Sequence, residues 1–401
     1  MNMTIEPCRL RGRVSVPASK SMAHRALIAA ALADQPTELW IHALNEDISA
    51  TIGVLNALGA EISVTPEGRV CVRPLGINRY QDMALPELDC GESGSTLRFM
   101  LPVACALGAS ARFIGRGRLP QRPMKPLTDA LRAHGALVEG DALPLTVSGK
   151  IGGGLWTLPG DVSSQYITGL LLALPLLQED SEISLTSPLQ SVSYVAMTLS
   201  TLRDFDIRVA VTADGWIVPG GQRPHSPGFL KVEGDWSAAA FWHAANAMGA
   251  EIQIDGAPDD SLQGDRVVLN LLGQPEIHAE DVPDLVPALA AAAAVKAQRT
   301  VISGAARLRL KESDRIKATV DMIRALGGRA EETADGLIVH GGQTLHGGTV
   351  NGFNDHRIVM AAAILAARAE GPVVITDAEA VNKSYPDFFS HFRALGGIAR
   401  E

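Results

Sequence analysis

Six stretches of this chain are apolar almost without interruption. They read "LIAAALA" from Leu27, "FMLPVACALGA" from Phe99, "YITGLLLALPLL" from Tyr166, "AAAFWHAANAMGA" from Ala238, "VPALAAAAAV" from Val286 and "IVMAAAILAA" from Ile358. None carries a wide polar stripe, so each predicts a helix buried on nearly all sides. Such helices imply sheets wrapped around them. A doubly wound fold would instead lay helices over a buried sheet.

A second pattern punctuates the first: a helix-like segment, a small-residue stop, then a short strand-like segment. It appears in "VLNALGAEISV", "LRAHGALVEG", "LSTLRDFDIRVAV", "VVLNLLGQPEIH", "MIRALGGRAEE" and "HFRALGGIAR". The stops are Gly59, Gly135, Asp206, Gly273, Gly327 and Gly396, where a helix end in the left-handed region favours a residue without a Cβ. Six stops in 401 residues give about 67 residues per unit, room for two helices and several strands. "GRVCVRP", "LPLTVSG", "DGWIVPGG" and "DGLIVHGG" read as closing strands bounded by turn residues. Any α/β protein has some helix–Gly–strand junctions; recurrence at this spacing is what suggests a repeat. The Pro/Gly tract at 218–228, "VPGGQRPHSPG", marks the expected boundary between two halves.

Composition narrows the class. Hydrophobic residues make up 46% and charged residues 20%, a globular balance in a chain long enough for two cores. A net charge of −9 argues against a general nucleic-acid binder but leaves room for a small anionic ligand bound by a local cluster. Cys8, Cys71, Cys90 and Cys105 show no C-x-x-C spacing, so a reducing compartment is expected. "MNMTIEPCRLRGRV" lacks a signal-peptide core, and the apolar runs are shorter than the ~18 residues that span a bilayer. A soluble cytoplasmic protein is the resulting expectation.

Polar residues gather at the starts of the apolar helices. "PASKSMAHRAL" sets Ser21 and Arg25 four apart, beside Lys20. "DCGESGSTLRFM" leads from a Gly/Ser turn into Arg98, and "DVSSQYITGLL" offers Ser163, Ser164 and Gln165. "RLRLKESDRIKA" places Lys311 and Arg315 around Glu312 and Asp314, while "GFNDHRIVMAAA" stacks Asn354, Asp355, His356 and Arg357. Taken singly, these motifs read as N-caps or solvated charged turns. Capping accounts for Ser, Asp and Asn but not for repeated cations, which oppose the helix dipole. An anion between helix end and cation removes that conflict. "GRGRLPQRPMKPL" adds Arg116, Arg118, Arg122 and Lys125 on a Pro-bracketed loop, and "NKSYPDFF" adds Lys383. Because these cations come from both halves, the expected site is an interdomain cleft for a ligand with several negative charges.

These motifs together resemble the 5-enolpyruvylshikimate-3-phosphate synthase family. "SKSMAHR", "GESGSTLR", "LPQRPMKPL", "SSQYITG", "DVPDLVPALA", "RLRLKESDR", "NDHR" and "NKSYPDFF" follow its signatures in order over residues 19–389. The resemblance implies an α/β enolpyruvyltransferase fold, an inside-out α/β barrel. Its two domains would each hold three β-α-β-α-β-β repeats around buried helices, residues 12–222 in one and residues 1–11 with 223–401 in the other. It also implies transfer of the enolpyruvyl group of phosphoenolpyruvate to the 5-hydroxyl of shikimate 3-phosphate, with domain closure on ligand.

Carried over by motif, Lys20, Ser21, Arg25, Ser163, Ser164, Gln165, Ser191, Asp284 and Lys311 would bind shikimate 3-phosphate. Lys20, Gly94, Arg122, Gln165, Arg315, His356, Arg357 and Lys383 would bind phosphoenolpyruvate. Asp284 would be the base, with Glu312 or Lys20 delivering the proton to the methylene carbon. The partners implied are these two small molecules, with neither nucleic acid nor membrane, and a monomer is expected. Neither metal nor organic cofactor is implied.

Two departures from the family pattern are Glu92 and Ser95, where many members carry asparagine and threonine. The sister enolpyruvyltransferase acting on UDP-N-acetylglucosamine typically has a cysteine in the loop matching "GRGRLPQRPMKP", which this chain lacks. A catalytically inactive anion-binding protein of the same fold is the other alternative; the joint presence of Asp284, Glu312 and Lys20 opposes it.

Overall fold

The computed structural model describes residues 1–76 and 85–401. The chain divides into two compact units, one of residues 20–232 and one of residues 1–19 with 233–401.

In the unit of residues 20–232, three four-stranded sheets enclose three apolar helices, Lys20–Leu32, Gly94–Leu107 and Ser164–Ala173. The strands Glu87–Asp89 and Ala111–Ile114 run parallel and are joined by the Gly94 helix; an outer helix, Lys125–Ala133, then leads to the antiparallel strands Leu137–Glu139 and Leu145–Ser148. The order in the sheet is first, second, fourth, third, and the same β-α-β-α-β-β order recurs from Gly154 to Val218. Helices Gly94–Leu107 and Ser164–Ala173 pack so tightly that Gly169 has no space for a Cβ against the Arg98 carbonyl. That approach brings the first turns of the two helices together.

The other unit follows a related plan around helices Trp236–Ala247, Val286–Val295 and His356–Ala366, with two four-stranded sheets and one of two strands. Alanine-rich sequence suits this position, because alanine has high helix propensity and small side chains allow packing on every face. Residues 286–294 are buried without exception. All six predicted stops, Gly59, Gly135, Asp206, Gly273, Gly327 and Gly396, have positive φ, between 58° and 104°.

The cuts differ from those placed on the sequence. Arg11–Ser15 pairs in parallel with Glu251–Asp255, and Met3–Glu6 lies between Val373–Ile375 and Ile398–Arg400, so two N-terminal strands join the second unit. Phe229–Lys231 instead pairs with Thr37–Trp40 in the first. Ladder hydrogen bonds decide membership, which moves the cuts to 19/20 and 232/233 rather than 11/12 and 222/223. No described helix is long and apolar enough to cross a membrane.

Candidate active site

In the unit of residues 20–232, Lys20 is the first residue of its helix, and its Nζ donates to Asp47 Oδ2 at 2.8 Å. Asp47 lies in the first turn of helix Glu46–Ala57, which Asn45 caps by accepting from the Ile48 N–H. The carboxylate thus offsets the cost of a cation at a helix N-terminus.

Arg25, one turn further on, is fully buried. Its Nε donates to Thr198 Oγ1 (2.9 Å), one Nη to the Ser21 carbonyl (2.6 Å), and the other to Thr168 Oγ1 (3.2 Å) and the Tyr194 carbonyl (2.8 Å). Burial pushes its pKa down to about 10. Thr168 sits four residues after Ser164, and Tyr194 three after Ser191. Arg25 therefore ties together three helices whose starts carry Lys20 and Ser21, Ser164 and Gln165, and Ser191. The Ser191 backbone itself has φ 58°, a strained setting for serine at the head of helix Val192–Asp204.

A second group surrounds Gly94. Gln165 accepts from Arg98 Nη1 at 2.7 Å and donates to Ser95 Oγ at 2.9 Å, so its amide is fixed at both ends. Ser163 caps that helix by accepting from the Gln165 N–H. Arg98 Nη2 and the Tyr166 hydroxyl both hold the Pro123 carbonyl, anchoring the segment that presents Arg122. A Cβ on Gly94 would lie 2.7 Å from Arg122 Nη1 and 2.9 Å from Arg98 Nη1, so two guanidinium groups crowd one backbone position. The Glu92 carboxylate packs against Gly117 in the same loop. Arg116 and Lys125, by contrast, form exposed pairs with Asp89 and Asp129.

The unit of residues 1–19 and 233–401 carries the carboxylates. Asp284, in the turn before helix Val286–Val295, accepts from Arg315 Nη1 at 2.8 Å and Arg357 Nη2 at 3.0 Å, with Lys311 Nζ at 4.0 Å. Burial alone would raise its pKa, but the charges of Arg357, Lys311 and Arg315 outweigh it and hold the carboxyl well below the usual range. Glu312 accepts from Arg315 Nη2 at 2.6 Å. Asp355, which is fully buried, accepts from Arg315 Nε at 2.7 Å and from Ser313 at 2.9 Å, and caps helix His356–Ala366 through the Arg357 N–H. Burial would lower the Arg315 pKa, yet Asp355, Glu312 and Asp284 raise it above its ordinary value.

Arg315 starts an outer helix, Arg315–Ala325, rather than an inner one, and Lys311 precedes it. Lys383 Nζ donates to the Asn354 carbonyl at 2.7 Å, where Phe353 and Asn354 both have positive φ; His356 is buried two residues on.

Sequence reasoning missed Asp47 and Asp265. Asp265 is buried, hydrogen-bonded to the Ser237 hydroxyl, and pushed up to about 7 by burial and then by the charge of Asp284, against the opposing pull of Arg357. Asp47 follows Glu46 in a first turn, where acidic residues are expected for the dipole alone.

Six repeats around buried helices, with cations, hydroxyls and carboxylates at the helix starts, define an anion-handling enolpyruvyl-transferase fold. Residues 5–276 and 274–392 match the sequence model described as EPSP synthase (3-phosphoshikimate 1-carboxyvinyltransferase), and the chain belongs to that family. It is 39% identical to the 3-phosphoshikimate 1-carboxyvinyltransferase of Clostridium kluyveri, covering 98% of this chain and 97% of the relative. Identity to the protein of the same name from Clostridium acetobutylicum is 38%, covering 99% and 98%. The solved EPSP synthase of Acinetobacter baumannii superposes with a TM-score of 0.83 at 25% identity over the full length of both chains.

Proposed function

We propose that Asp284, Glu312 and Lys20 carry the proton transfers of the reaction that family membership gives this chain. That reaction moves the enolpyruvyl group of phosphoenolpyruvate to the 5-hydroxyl of shikimate 3-phosphate and releases phosphate. The hydroxyl oxygen attacks C2 of the enolpyruvate while Asp284 takes its proton, and C3 gains a proton from Glu312 or Lys20. In the tetrahedral ketal phosphate so formed, the C2–O bond to phosphate breaks, phosphate leaves with the electron pair, and C3 gives up a proton to restore the double bond.

The observation that carries this reading is Asp284, partly buried and hydrogen-bonded to both Arg315 and Arg357, whose charges favour its ionised form. Shikimate 3-phosphate is bound by Lys20, Ser21, Arg25, Ser163, Ser164, Gln165, Ser191, Asp284 and Lys311, and phosphoenolpyruvate by Lys20, Gly94, Arg122, Gln165, Arg315, His356, Arg357 and Lys383. Guanidinium groups fit phosphate and carboxylate in a two-point fork, which suits a ligand carrying both. Cations around the departing phosphate stabilise the charge that develops on it. Action as a cytoplasmic monomer belongs to the same reading.

The test is phosphate release from phosphoenolpyruvate with either acceptor. Turnover is expected with shikimate 3-phosphate and none with UDP-N-acetylglucosamine; the reverse result would overturn the assignment.

A further inference from the structure

Lys20 and His24 are one turn apart on helix Lys20–Leu32, and Asp47 and Thr51 are one turn apart on helix Glu46–Ala57. The two pairs meet as two rungs. Lys20 Nζ reaches Asp47 Oδ2 at 2.8 Å, and His24 Nδ1 lies 2.7 Å from Thr51 Oγ1. The second rung continues inward: Thr51 Oγ1 is 2.7 Å from Thr96 Oγ1, and Thr96 donates to Ser93 Oγ at 2.8 Å, with the Asp47 carbonyl at 3.4 Å. His24, Thr51, Thr96 and Ser93 are all fully buried.

The chain has a direction. Among the described residues His24 Nε2 has no hydrogen-bond partner. A proton on Nε2 would be an orphaned buried N–H, which is rarer and costlier than an orphaned acceptor. The consistent assignment puts the proton on Nδ1, so that His24 donates to Thr51, Thr51 to Thr96, and Thr96 to Ser93. Burial, and then the charges of Lys20 and Arg25, keep the ring neutral.

We propose that this buried rung positions Lys20: His24 and Thr51 fix the rotation and spacing of the two helices so that Lys20 and Asp47 meet, while Thr96 locks the pair to the start of the Gly94 helix. Hydrophobic packing alone specifies helix rotation loosely, whereas a continuous chain of buried polar contacts restricts the register. The inference rests on the role given to Lys20 above. It makes His24 and Thr51 positioning residues, since neither reaches a reacting atom.

The test compares Thr51→Val, His24→Leu and His24→Asn with the parent, each checked to be folded at assay temperature. Thr51→Val keeps the branched shape without the hydroxyl, and His24→Asn keeps a donor near the Nδ1 position. About a tenfold loss of kcat is expected for Thr51→Val and His24→Leu, the scale seen when a group orienting a functional side chain is removed. His24→Asn should recover most of it. Combined with Lys20→Ala, Thr51→Val should add no further loss, as for residues acting through one another. Unchanged kinetics in folded Thr51→Val, full additivity with Lys20→Ala, or no advantage of His24→Asn over His24→Leu would each overturn the proposal. Full turnover by Lys20→Ala would overturn the reading of Lys20 and the positioning claim with it. An inactive Lys20→Ala beside an unimpaired Thr51→Val would overturn the positioning claim alone.

Discussion

Asp284 and Arg315 meet at 2.8 Å through one carboxylate oxygen and Nη1. Arg357 takes the other oxygen at 3.0 Å, so the residue proposed as base is neutralised by two cations proposed for phosphoenolpyruvate. A carboxylate so depressed is a poor proton acceptor until an anionic substrate draws those guanidinium groups to itself. Substrate binding should therefore raise the basicity of Asp284 at the step that needs it. Asp284→Ala is expected to lose at least roughly 10²-fold in kcat, the scale of a missing general base. Near-normal kcat in that variant would remove Asp284 from the mechanism.

Asp265 predicts a pH dependence of stability with a definite sign. Its folded pKa is about 7, above the ordinary 3.8, chiefly because burial disfavours the charged form. Between those values the folded state holds a proton that the unfolded state has released, so stability falls as pH rises from about 4 to 7. A shift of this size corresponds to on the order of 4 kcal/mol at most. Asp284, shifted the opposite way, contributes stability above the ordinary carboxylate range and loses it only in stronger acid. Asp265→Asn, which can still accept from Ser237, should flatten the decline between pH 4 and 7. Denaturant midpoints measured across that interval would decide it, and parallel curves for variant and parent would refute the assignment.

The six buried helices, and the stops that end the six helices alternating with them, were legible because both are local signals: unbroken apolar runs, and residues that tolerate positive φ. The cations near the helix starts were legible because repeated charge there conflicts with the dipole. Their partners were not. Asp47 is 27 residues from Lys20, and Asp355 is 40 from Arg315, so topology rather than periodicity brings them together. The same limit hid the swap of strands Arg11–Ser15 and Phe229–Lys231, whose pairing partners lie about 240 and 190 residues away along the chain. Arg25 is instructive in another way. The i, i+4 spacing with Ser21 is real, but the contact is to the Ser21 carbonyl, and the remaining bonds are to residues more than 140 positions away.

That geometry separates Arg25→Lys from Arg357→Lys. Lysine cannot serve acceptors on three helices at once, so Arg25→Lys should lower stability by a few kcal/mol, at about 1 kcal/mol or more per lost buried bond. It should weaken shikimate 3-phosphate as well. Arg357→Lys should weaken phosphoenolpyruvate by one to a few kcal/mol, the worth of a charge-assisted hydrogen bond, while binary shikimate 3-phosphate binding stays close to the parent. Calorimetry on both variants tests the division. Equal losses of shikimate 3-phosphate affinity in the two would show that the ligand assignments are wrong.

Gly94→Ala sets activity against stability at a single methyl group. Gly94 begins a buried helix, and alanine is favoured over glycine there by up to ~1 kcal/mol from backbone propensity. The added Cβ, however, would lie 2.7 Å from Arg122 Nη1 and 2.9 Å from Arg98 Nη1, closer than carbon and nitrogen tolerate. The Arg122 tip is the nearer of the two, so it must shift the most to admit the methyl group. Displacing a guanidinium proposed to bind phosphoenolpyruvate should raise KM for that substrate about tenfold or more, with KM for shikimate 3-phosphate little changed. Thermal unfolding should occur at or slightly above the parent midpoint, because only a flexible side-chain end must give way. A folded Gly94→Ala protein with an unaltered KM for phosphoenolpyruvate would place Arg122 away from that substrate.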